Sequence, residues 1–584
     1  MTVHYTICPL SLEAHTFEVS CRVDRPAPTG QIFALPAWIP GSYLIRDFAR
    51  HIVSIRAEAA GKAVALEKTD KHRWRAAPVQ PGVALTVVCE IYAWDLSVRG
   101  AHLDRTHGFF NGCSVFLSPQ GHEDQPCLVD IRPPDGKRWR VATALEAARG
   151  ERGAARAHGF GVYRAASYDE LIDHPVEMGD FTLCRFAVGG VAHEVAITGQ
   201  HNCDTQRLTN DLQRICEWQI RFFGQPPPMA RYVFLVTAVG EGYGGLEHRA
   251  STALLCSRDD LPYPGMDGTP ERYRGFLGLC SHEYFHTWNV KRIKPAAFLP
   301  YDLARENHTR LLWFFEGFTS YYDDLALLRS TTIAPTAYLE LLGKTIVNVA
   351  RNPGRFRQSL AESSFDAWSK FYRPDENSPN AVVSYYAKGA LVALALDLTL
   401  RQHTQGRHSL DDLMRALWQR YGQTGIGVGD DSVQRIAEEL AGRKLGRFFS
   451  NAVTGTRELP LPALLARIGV KLGWEKAKTP SLGVKSVAEG KHLKLATVFT
   501  GGAAEKAGLA GGDVLVAFDG LRVGAGNLDA LLARRESGEM VRLHAFRRDE
   551  LISTEACLDP AEIVACRLSL MPGKHLLRRQ WLGV

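Results

Sequence analysis

The sequence predicts a multidomain α+β protein, in which a β-rich N-terminal domain, a mainly α-helical middle domain and a C-terminal module of short strands follow one another. Three observations support this prediction. The chain has 584 residues, too many for one hydrophobic core, because domains usually hold about 100 to 200 residues. Apolar residues alternate with polar ones at first and later recur with helical spacing. Short strand and turn patterns return near the C-terminal end.

The β-rich domain is predicted over residues 1–180. Apolar and polar residues alternate there in short runs that glycine and proline interrupt, as at residues 16–23 and 84–92. Successive side chains of a strand point to opposite faces, so this alternation indicates strands with one buried face.

The second domain is predicted over residues 181–470 and is mainly helical. A helix over 204–223 precedes a strand at 231–237 that runs into a glycine-rich loop. Thr269 as N-cap and Pro270 at the first helical position predict a helix that continues through Trp288. Further helices are expected over residues 309–329, 336–351, 384–401, 410–421 and 432–441.

The third domain is predicted over residues 480–560, with residues 561–584 as a C-terminal extension. Short apolar runs between glycine-rich turns, such as those within 501–520, indicate strands and tight turns rather than long helices. This module is expected to fold independently.

Composition and charge exclude several classes of partner. The chain is 45% hydrophobic and 23% charged with a net charge of +6, as in soluble globular proteins, and no nucleic-acid partner is expected. The one basic run, residues 290–295, is predicted to be a solvated or carboxylate-paired surface. No membrane span or secretory signal is recognisable, so a cytoplasmic protein is expected.

A metal-binding motif lies within the helix predicted from Thr269. His282, Glu283 and His286 form an HExxH sequence, and residues four apart share one helix face, so both imidazoles can reach one ion. Glu283 can then act as the base that takes a proton from an attacking water. The alternative is a coincidence of composition in a core or surface helix.

A catalytic zinc ion needs a third protein ligand, and Glu316 is the main candidate. It lies among aromatic residues on a predicted helix, where a buried carboxylate requires a cationic partner. A structural salt bridge would also satisfy it. Asp323 and Asp324 are competing donors that follow the apolar run.

These motifs resemble those of the gluzincin metallopeptidases, which carry HExxH on one helix and a Glu, often before Gly-Phe, on a following helix. The resemblance implies one catalytic Zn²⁺ held by His282, His286 and Glu316. A Tyr-x-Lys-Gly sequence at residues 386–389 resembles that of related aminopeptidases, whose tyrosine stabilises the oxyanion. Tyr386 is the matching residue, and Tyr385 is the alternative.

The segment 242–249 resembles the Gly-x-Met-Glu-Asn segment of gluzincin aminopeptidases, although Leu246 and His248 replace Met and Asn. The resemblance implies that Gly244 and Gly245 line the substrate cleft and that Glu247 pairs with the free α-ammonium of the substrate. A plain hairpin turn is the alternative.

Together with residues 36–48 and 282–295, these motifs resemble the glycyl aminopeptidase family, the M61 peptidases. The resemblance implies a thermolysin-like catalytic domain, a C-terminal PDZ domain and removal of N-terminal Gly or Ala from peptides with a free N-terminus. Residues 503–515 support the PDZ prediction by themselves, and 482–484 would hold a peptide C-terminus unless the module is only a lid. A PDZ-assisted zinc endopeptidase and a non-catalytic peptide-binding scaffold are the alternative functions.

Overall fold

The computed structural model describes residues 2–583, which form two compact units. The first unit runs from the N-terminal end to Asn307 and includes Ser330–Ile333 and Trp418–Val428. The second unit comprises His308–Arg329, Ala334–Leu417 and the chain from Gly429 onward.

The first unit is rich in strands. In chain order they are β1 (Val3–Ser11), β2 (Thr16–Val23), β3 (Ile32–Ala34), β4 (Ile52–Ala59), β5 (Lys62–Val64), β6 (Leu66–Lys68), β7 (Arg73–Ala76), β8 (Leu85–Tyr92), β9 (Ala101–Leu103), β10 (His107–Phe110), β11 (Ser118–Pro119), β12 (Cys127–Ile131), β13 (Arg140–Thr143), β14 (Glu146–Ala147), β15 (Gly161–Ala165), β16 (Val176–Gly179), β17 (Thr182–Val188), β18 (Val191–Thr198), β19 (Arg231–Val239), β20 (Tyr243–Glu247) and β21 (Ser251–Ser257). Its helices are α1 (Gly112–Val115), α2 (Tyr168–Ile172), α3 (Thr205–Phe223) and α4 (Glu271–Phe285).

The N-terminal strands form three sheets. An eight-stranded sheet has the order β14-β15-β12-β1-β2-β8-β4-β5, and two four-stranded sheets have the orders β13-β16-β10-β9 and β11-β3-β7-β6. The alternation in sequence is visible in β1, where Val3, Tyr5 and Ile7 are buried and the residues between them are half-buried. The predicted β-rich N-terminal domain is therefore confirmed.

A five-stranded sheet with the order β17-β18-β19-β21-β20 completes the first unit. Strands β18, β19 and β21 run parallel, whereas β20 pairs antiparallel with β21 at the edge of the sheet. Helix α4 packs against β20 and β21. The edge strand thus lies directly beside the helix that carries the HExxH sequence.

The ends of α4 differ from the prediction. Pro270 is the N-cap, because the Thr269 hydroxyl donates a hydrogen bond to the Thr332 carbonyl (3.5 Å) instead of capping the helix. The helix ends at Phe285 rather than at Trp288. Val290, with φ of 99°, takes a left-handed conformation that ends the helical path and that a β-branched residue rarely adopts.

The second unit holds most of the helices. They are α5 (Leu312–Arg329), α6 (Pro335–Arg351), α7 (Leu360–Phe365), α8 (Ser378–Ala381), α9 (Ala387–His403), α10 (Leu410–Leu417), α11 (Ser432–Ala441), α12 (Gly446–Ala452) and α13 (Leu461–Arg467). The helices predicted after residue 309 are confirmed, with small shifts at their ends. Among the described residues, no helix is both long enough and apolar enough to cross a bilayer.

The C-terminal part of this unit returns to strands. They are β22 (Val470–Lys476), β23 (Val484–Glu489), β24 (His492–Val498), β25 (Val514–Phe518), β26 (Leu521–Arg522), β27 (Met540–Arg547), β28 (Glu550–Cys557) and β29 (Ile563–Leu570), with the short helices α14 (Ala503–Lys506), α15 (Leu528–Leu532) and α16 (Leu576–Leu582). Strand β22 pairs antiparallel with β29. The others form a sheet with the order β23-β24-β25-β27-β28, in which β26 pairs with β25.

Candidate active site

The two histidines of the HExxH sequence point at each other. His282 lies in the last turn of α4 and His286 is its C-cap, and their Nε2 atoms are 3.1 Å apart. The four-residue spacing that predicted a shared face therefore brings two nitrogen donors to one point.

A backbone carbonyl fixes the orientation of His286. Its Nδ1 lies 2.7 Å from the carbonyl oxygen of Asn289, and a carbonyl can only accept, so Nδ1 carries the proton and donates it. In the neutral ring, Nε2 then carries the lone pair. A hydrogen bond of this kind from the distal ring nitrogen orients metal-binding histidines generally.

Strand β20 brings a glycine against the carboxylate of Glu283. A Cβ atom added at Gly245 would lie 2.1 Å from Glu283 Oε1, so only glycine leaves room for this carboxylate beside the strand. Glu283 is 5% exposed. Gly245 thus allows strand β20 to lie close against the Glu283 carboxylate of the HExxH motif.

Glu247 ends the same strand and is also buried. Its carboxylate lies against the backbone of Gly41, where an added Cβ would be 2.5 Å from Oε2 and where φ is +96°. The N-terminal segment 36–48 therefore reaches Glu247. Donor atoms of Glu247, Glu283 and His286 all lie within 4.8 Å of one another.

In the second unit, a close helix crossing places Glu316 beside two tyrosines. A Cβ added at Gly317 of α5 would lie 2.5 Å from the Cα of Gly389 in α9, so two glycines allow the helix backbones to touch. Glu316 is 2% exposed. Burial raises the pKa of Tyr385 and Tyr386 well above the usual range, and the charge of Glu316 adds to that shift.

The two tyrosines differ in accessibility. Tyr385 is fully buried, whereas Tyr386, the N-cap of α9, is half-buried and its hydroxyl lies 3.4 Å from that of Tyr372. A phenol with a raised pKa stays protonated at neutral pH and can donate a hydrogen bond. Tyr386 is thus the better placed of the two to reach a bound molecule.

Each unit offers part of a metal-ligand set. The first unit brings the Nε2 atoms of His282 and His286 together, and the second unit buries the carboxylate of Glu316. The alternative carboxylates, Asp323 and Asp324, belong to none of the donor groups found among the described residues, and seven residues of helix separate Asp323 from Glu316, about 10 Å along the axis.

This donor set fits a zinc ion. Two imidazoles and one carboxylate are a common ligand set for catalytic zinc, and a fourth position is left for water or substrate. The close facing of two imidazole nitrogens and the fixed tautomer of His286 are what such an ion requires.

The basic run at 290–295 is paired with a carboxylate, as one of the two predicted alternatives had it, but Lys291 is buried rather than at a surface, which corrects the prediction on that point. Lys291 is 7% exposed and its Nζ lies 2.8 Å from the carboxylate of Asp173. Arg292 donates to the carbonyls of Arg249, Thr287 and Pro228. Lys291 and Arg292 thereby fix the position of the chain that follows His286. Their partners are a buried carboxylate and three backbone carbonyls, most of them from segments distant in sequence.

Two family models match the chain. The model of the peptidase M61 N-terminal domain matches residues 4–180, and the model of the M61 glycyl aminopeptidase matches residues 275–392. The crystal structure of an aminopeptidase N family protein from Idiomarina loihiensis is 40% identical, with 99% of this chain and 100% of that chain covered and a TM-score of 0.95. The chain belongs to the M61 glycyl aminopeptidase family.

More distant structures add little. An M1 zinc metallopeptidase from Deinococcus radiodurans is 16% identical, with 79% of this chain and 94% of that chain covered and a TM-score of 0.48, which is too low to support an argument. A comparison with curated proteins gave no match. The M61 glycyl aminopeptidase model covers the histidines, Glu283, Glu316 and Tyr386. Residues 36–48 fall within the N-terminal model, whereas the segment 242–249 lies between the two matched ranges.

Several contacts of this M61 site were missed from the sequence. Gly41 approaches Glu247 through the fold, and the carbonyl of Asn289 orients His286 without any side-chain signal. The close pairing of Gly317 with Gly389 could have been inferred from the sequence. Gly317 directly follows Glu316, Gly389 lies three residues after Tyr386, and both glycines interrupt mainly apolar helices. Glycine destabilises the interior of a helix, so a glycine there often marks a place where another backbone approaches closely.

Proposed function

We propose that the protein is a zinc aminopeptidase that removes N-terminal Gly or Ala from peptides. The observation that carries this proposal is the grouping of Glu247, Glu283 and His286 donor atoms within 4.8 Å. In a peptide, the α-nitrogen and the first carbonyl carbon are only about 2.5 Å apart. An amine anchor and a catalytic base must therefore lie this close together in an aminopeptidase.

The zinc ion would be held by His282, His286 and Glu316, the gluzincin ligand set. A zinc ion bound there would supply the positive charge that lowers the pKa of the attacking water and polarises the scissile carbonyl. The facing Nε2 atoms of His282 and His286 and the fixed tautomer of His286 support this assignment.

Glu283 would take the proton of the attacking water and pass it to the leaving amine. Burial beside Gly245 limits the carboxylate's movement and excludes competing water, which supports a general base that is fixed before substrate binds. Tyr386 would donate a hydrogen bond from its protonated phenol to the oxyanion as negative charge develops.

Glu247 would bind the substrate's α-ammonium. Two buried carboxylates as close as Glu247 and Glu283 repel each other, and a cation placed beside them relieves that repulsion. The peptide backbone would lie along the outer edge of β20, which pairs with no further strand among the described residues, with Gly244 and Gly245 allowing close approach. Arg99 donates to the Gly245 carbonyl at 3.4 Å and would border the bound peptide. The preference for Gly or Ala rests on the family.

Hydrolysis of matched substrates tests the proposal. Glycyl and alanyl amides should be cleaved with zinc present, and their N-acetylated forms should be cleaved at least about 100-fold more slowly, because an acylated nitrogen cannot pair with Glu247. Glu247→Gln should reduce cleavage of the free amines and leave zinc content unchanged. Equal cleavage of blocked and free substrates would instead identify an endopeptidase.

We further propose that residues 480–560 form a PDZ domain that binds peptide C-termini, which is the feature favouring the endopeptidase alternative. Strand β23 is an edge strand whose side chains are mostly exposed, and it follows a turn at Gly483 with φ of 69°. An added peptide strand could pair with this edge. A labelled peptide with a free C-terminal carboxylate should bind more tightly than its amidated form.

The remaining domains and the location follow the same proposal. Residues 1–180 would form the β-rich N-terminal domain, residues 181–470 the thermolysin-like catalytic domain and residues 561–584 a C-terminal extension. A cytoplasmic location is proposed with them, and cell fractionation with an antibody to the intact chain would test it.

A further inference from the structure

A second cluster of metal-binding side chains lies on the β9–β10 hairpin of the first unit. His102 is in β9, Asp104 begins the turn and His107 begins β10. One donor atom from each of the three lies within 4.8 Å of the other two. Both histidines are buried, at 5% and 6% exposure, so the cluster is not a chance surface grouping.

The turn holds the carboxylate of Asp104 in place. Its Oδ1 accepts hydrogen bonds from the Thr106 backbone nitrogen and hydroxyl, both at 2.6 Å, and from the His107 nitrogen at 3.0 Å. Its Oδ2 lies toward His102, 3.3 Å from Nε2. One oxygen is therefore consumed by the backbone and the other is presented to the histidines, an arrangement typical of a carboxylate ligand.

A buried carboxylate orients the second histidine. Nδ1 of His107 lies 3.1 Å from Oε1 of Glu177, and the Thr198 hydroxyl donates to the same oxygen at 2.9 Å. Glu177 is 2% exposed. A carboxylate that holds one imidazole nitrogen directs the other toward a metal in many zinc sites.

The imidazole of His102 is incompletely satisfied. Its Nδ1 is buried without a hydrogen-bond partner in the part of the chain that the structure describes, and its ring stacks on Trp94 at a centroid distance of 4.8 Å. His102 and His107 also line a mostly apolar cavity of about 10 Å³, which Asp104 does not line.

We propose that His102, Asp104 and His107 form a second metal site, which binds a divalent transition-metal ion such as Zn²⁺ and ties the β9–β10 hairpin together. Two imidazoles and one carboxylate suit zinc and neighbouring first-row ions, whereas Mg²⁺ and Ca²⁺ prefer oxygen ligands. The ion replaces the long His102–Asp104 hydrogen bond as the link between the strand and the turn. The site is independent of the HExxH histidines and of the proposed peptidase activity.

Zinc stoichiometry tests this site apart from the HExxH motif. A variant with His282→Ala and His286→Ala, stripped by chelator and dialysed against micromolar Zn²⁺, should retain one zinc ion per chain, and the unaltered chain should retain two. Adding Asp104→Asn or His107→Gln should weaken this remaining binding at least about 100-fold. Glu177→Gln should weaken it about 10- to 100-fold, as expected for loss of an orienting carboxylate.

A matched control is His403→Gln, which alters an exposed histidine at the end of α9 and should leave the stoichiometry unchanged. Circular dichroism of each metal-free variant separates loss of a ligand from loss of the fold. The proposal is overturned if the chain with an intact hairpin cluster retains no second zinc ion, or if the ion it retains is bound equally well after Asp104→Asn in folded protein.

Discussion

Asp173 should be one of the most sensitive positions of the first unit, and Asp173→Asn tests how the site is braced. This buried carboxylate follows α2 and accepts hydrogen bonds from Lys291 Nζ at 2.8 Å, Arg249 Nε at 3.0 Å and His248 Nδ1 at 3.1 Å. Burial alone would raise its pKa, but the charge of Lys291, the hydrogen bond from His248 and the charge of Arg249 hold the pKa of Asp173 well below the usual range. It therefore joins the chain after His286 to the end of β20.

The expected loss is about 3 to 5 kcal/mol, the usual cost of removing one partner from a buried ion pair. The asparagine keeps the shape of the side chain but leaves the Lys291 ammonium buried without its countercharge. For a unit of roughly 300 residues, whose unfolding entropy is about 0.6 to 0.7 kcal/mol/K, this loss lowers the unfolding temperature by roughly 4 to 8 °C. Because the folded pKa is depressed, the contribution is full above the ordinary Asp pKa and is lost as the pH falls through the folded value.

Differential scanning calorimetry at pH 7 is the assay, with Asp169→Asn as the matched control. Asp169 pairs with the same Arg249, at 2.6 Å, but its side chain is 57% exposed, so its removal should cost about 1 kcal/mol or less. Equal shifts of the transition in the two variants would show that the buried carboxylate of Asp173 contributes no more than the exposed one of Asp169.

Three further predictions concern single side chains. Burial lowers the pKa of His193 to about 4. Because the unfolded chain takes up that proton near pH 6.5, the free energy of unfolding should fall by about 3 kcal/mol between pH 6.5 and 4. Denaturant titrations of His193→Gln should show a flatter dependence of stability on pH. Gly317→Ala places a methyl group 2.5 Å from the α9 backbone and should destabilise the protein by about 1 to 3 kcal/mol. Gly275→Ala, in open space on α4, should instead stabilise it by about 0.5 to 1 kcal/mol. Thermal unfolding of both variants measures the difference. Tyr386→Phe should lower kcat about 100- to 1,000-fold with little change in KM, and Tyr385→Phe much less, in steady-state kinetics.

The predictable features are those that a short stretch of sequence encodes by itself. The i, i+4 spacing of His282 and His286 required only that residues 271–285 be helical, and hydrophobic periodicity established that helix. The glycines before Glu247 predicted a close backbone approach, although the predicted partner was a peptide and the group found against Gly245 is the carboxylate of Glu283. The family followed because these local signals occur in one order along the chain.

The features that were missed depend on distant segments. Threonine is a suitable N-cap residue, but the Thr269 hydroxyl donates its hydrogen bond to the Thr332 carbonyl instead. Lys291 and Arg292 look like a surface patch until Asp173, more than a hundred residues earlier, pairs with the lysine inside the protein. Residue type and spacing contain no information about which remote group will be the partner, so burial of charge was the least predictable property.

The central claim, that Glu283 is the base of a zinc-dependent aminopeptidase, is tested most directly by Glu283→Gln with activity and zinc measured on the same samples. The variant should keep the zinc ion at His282, His286 and Glu316, because these ligands are untouched, while kcat/KM for a glycyl amide falls at least about 1,000-fold. Unchanged turnover by the zinc-loaded variant would show that Glu283 is not the base.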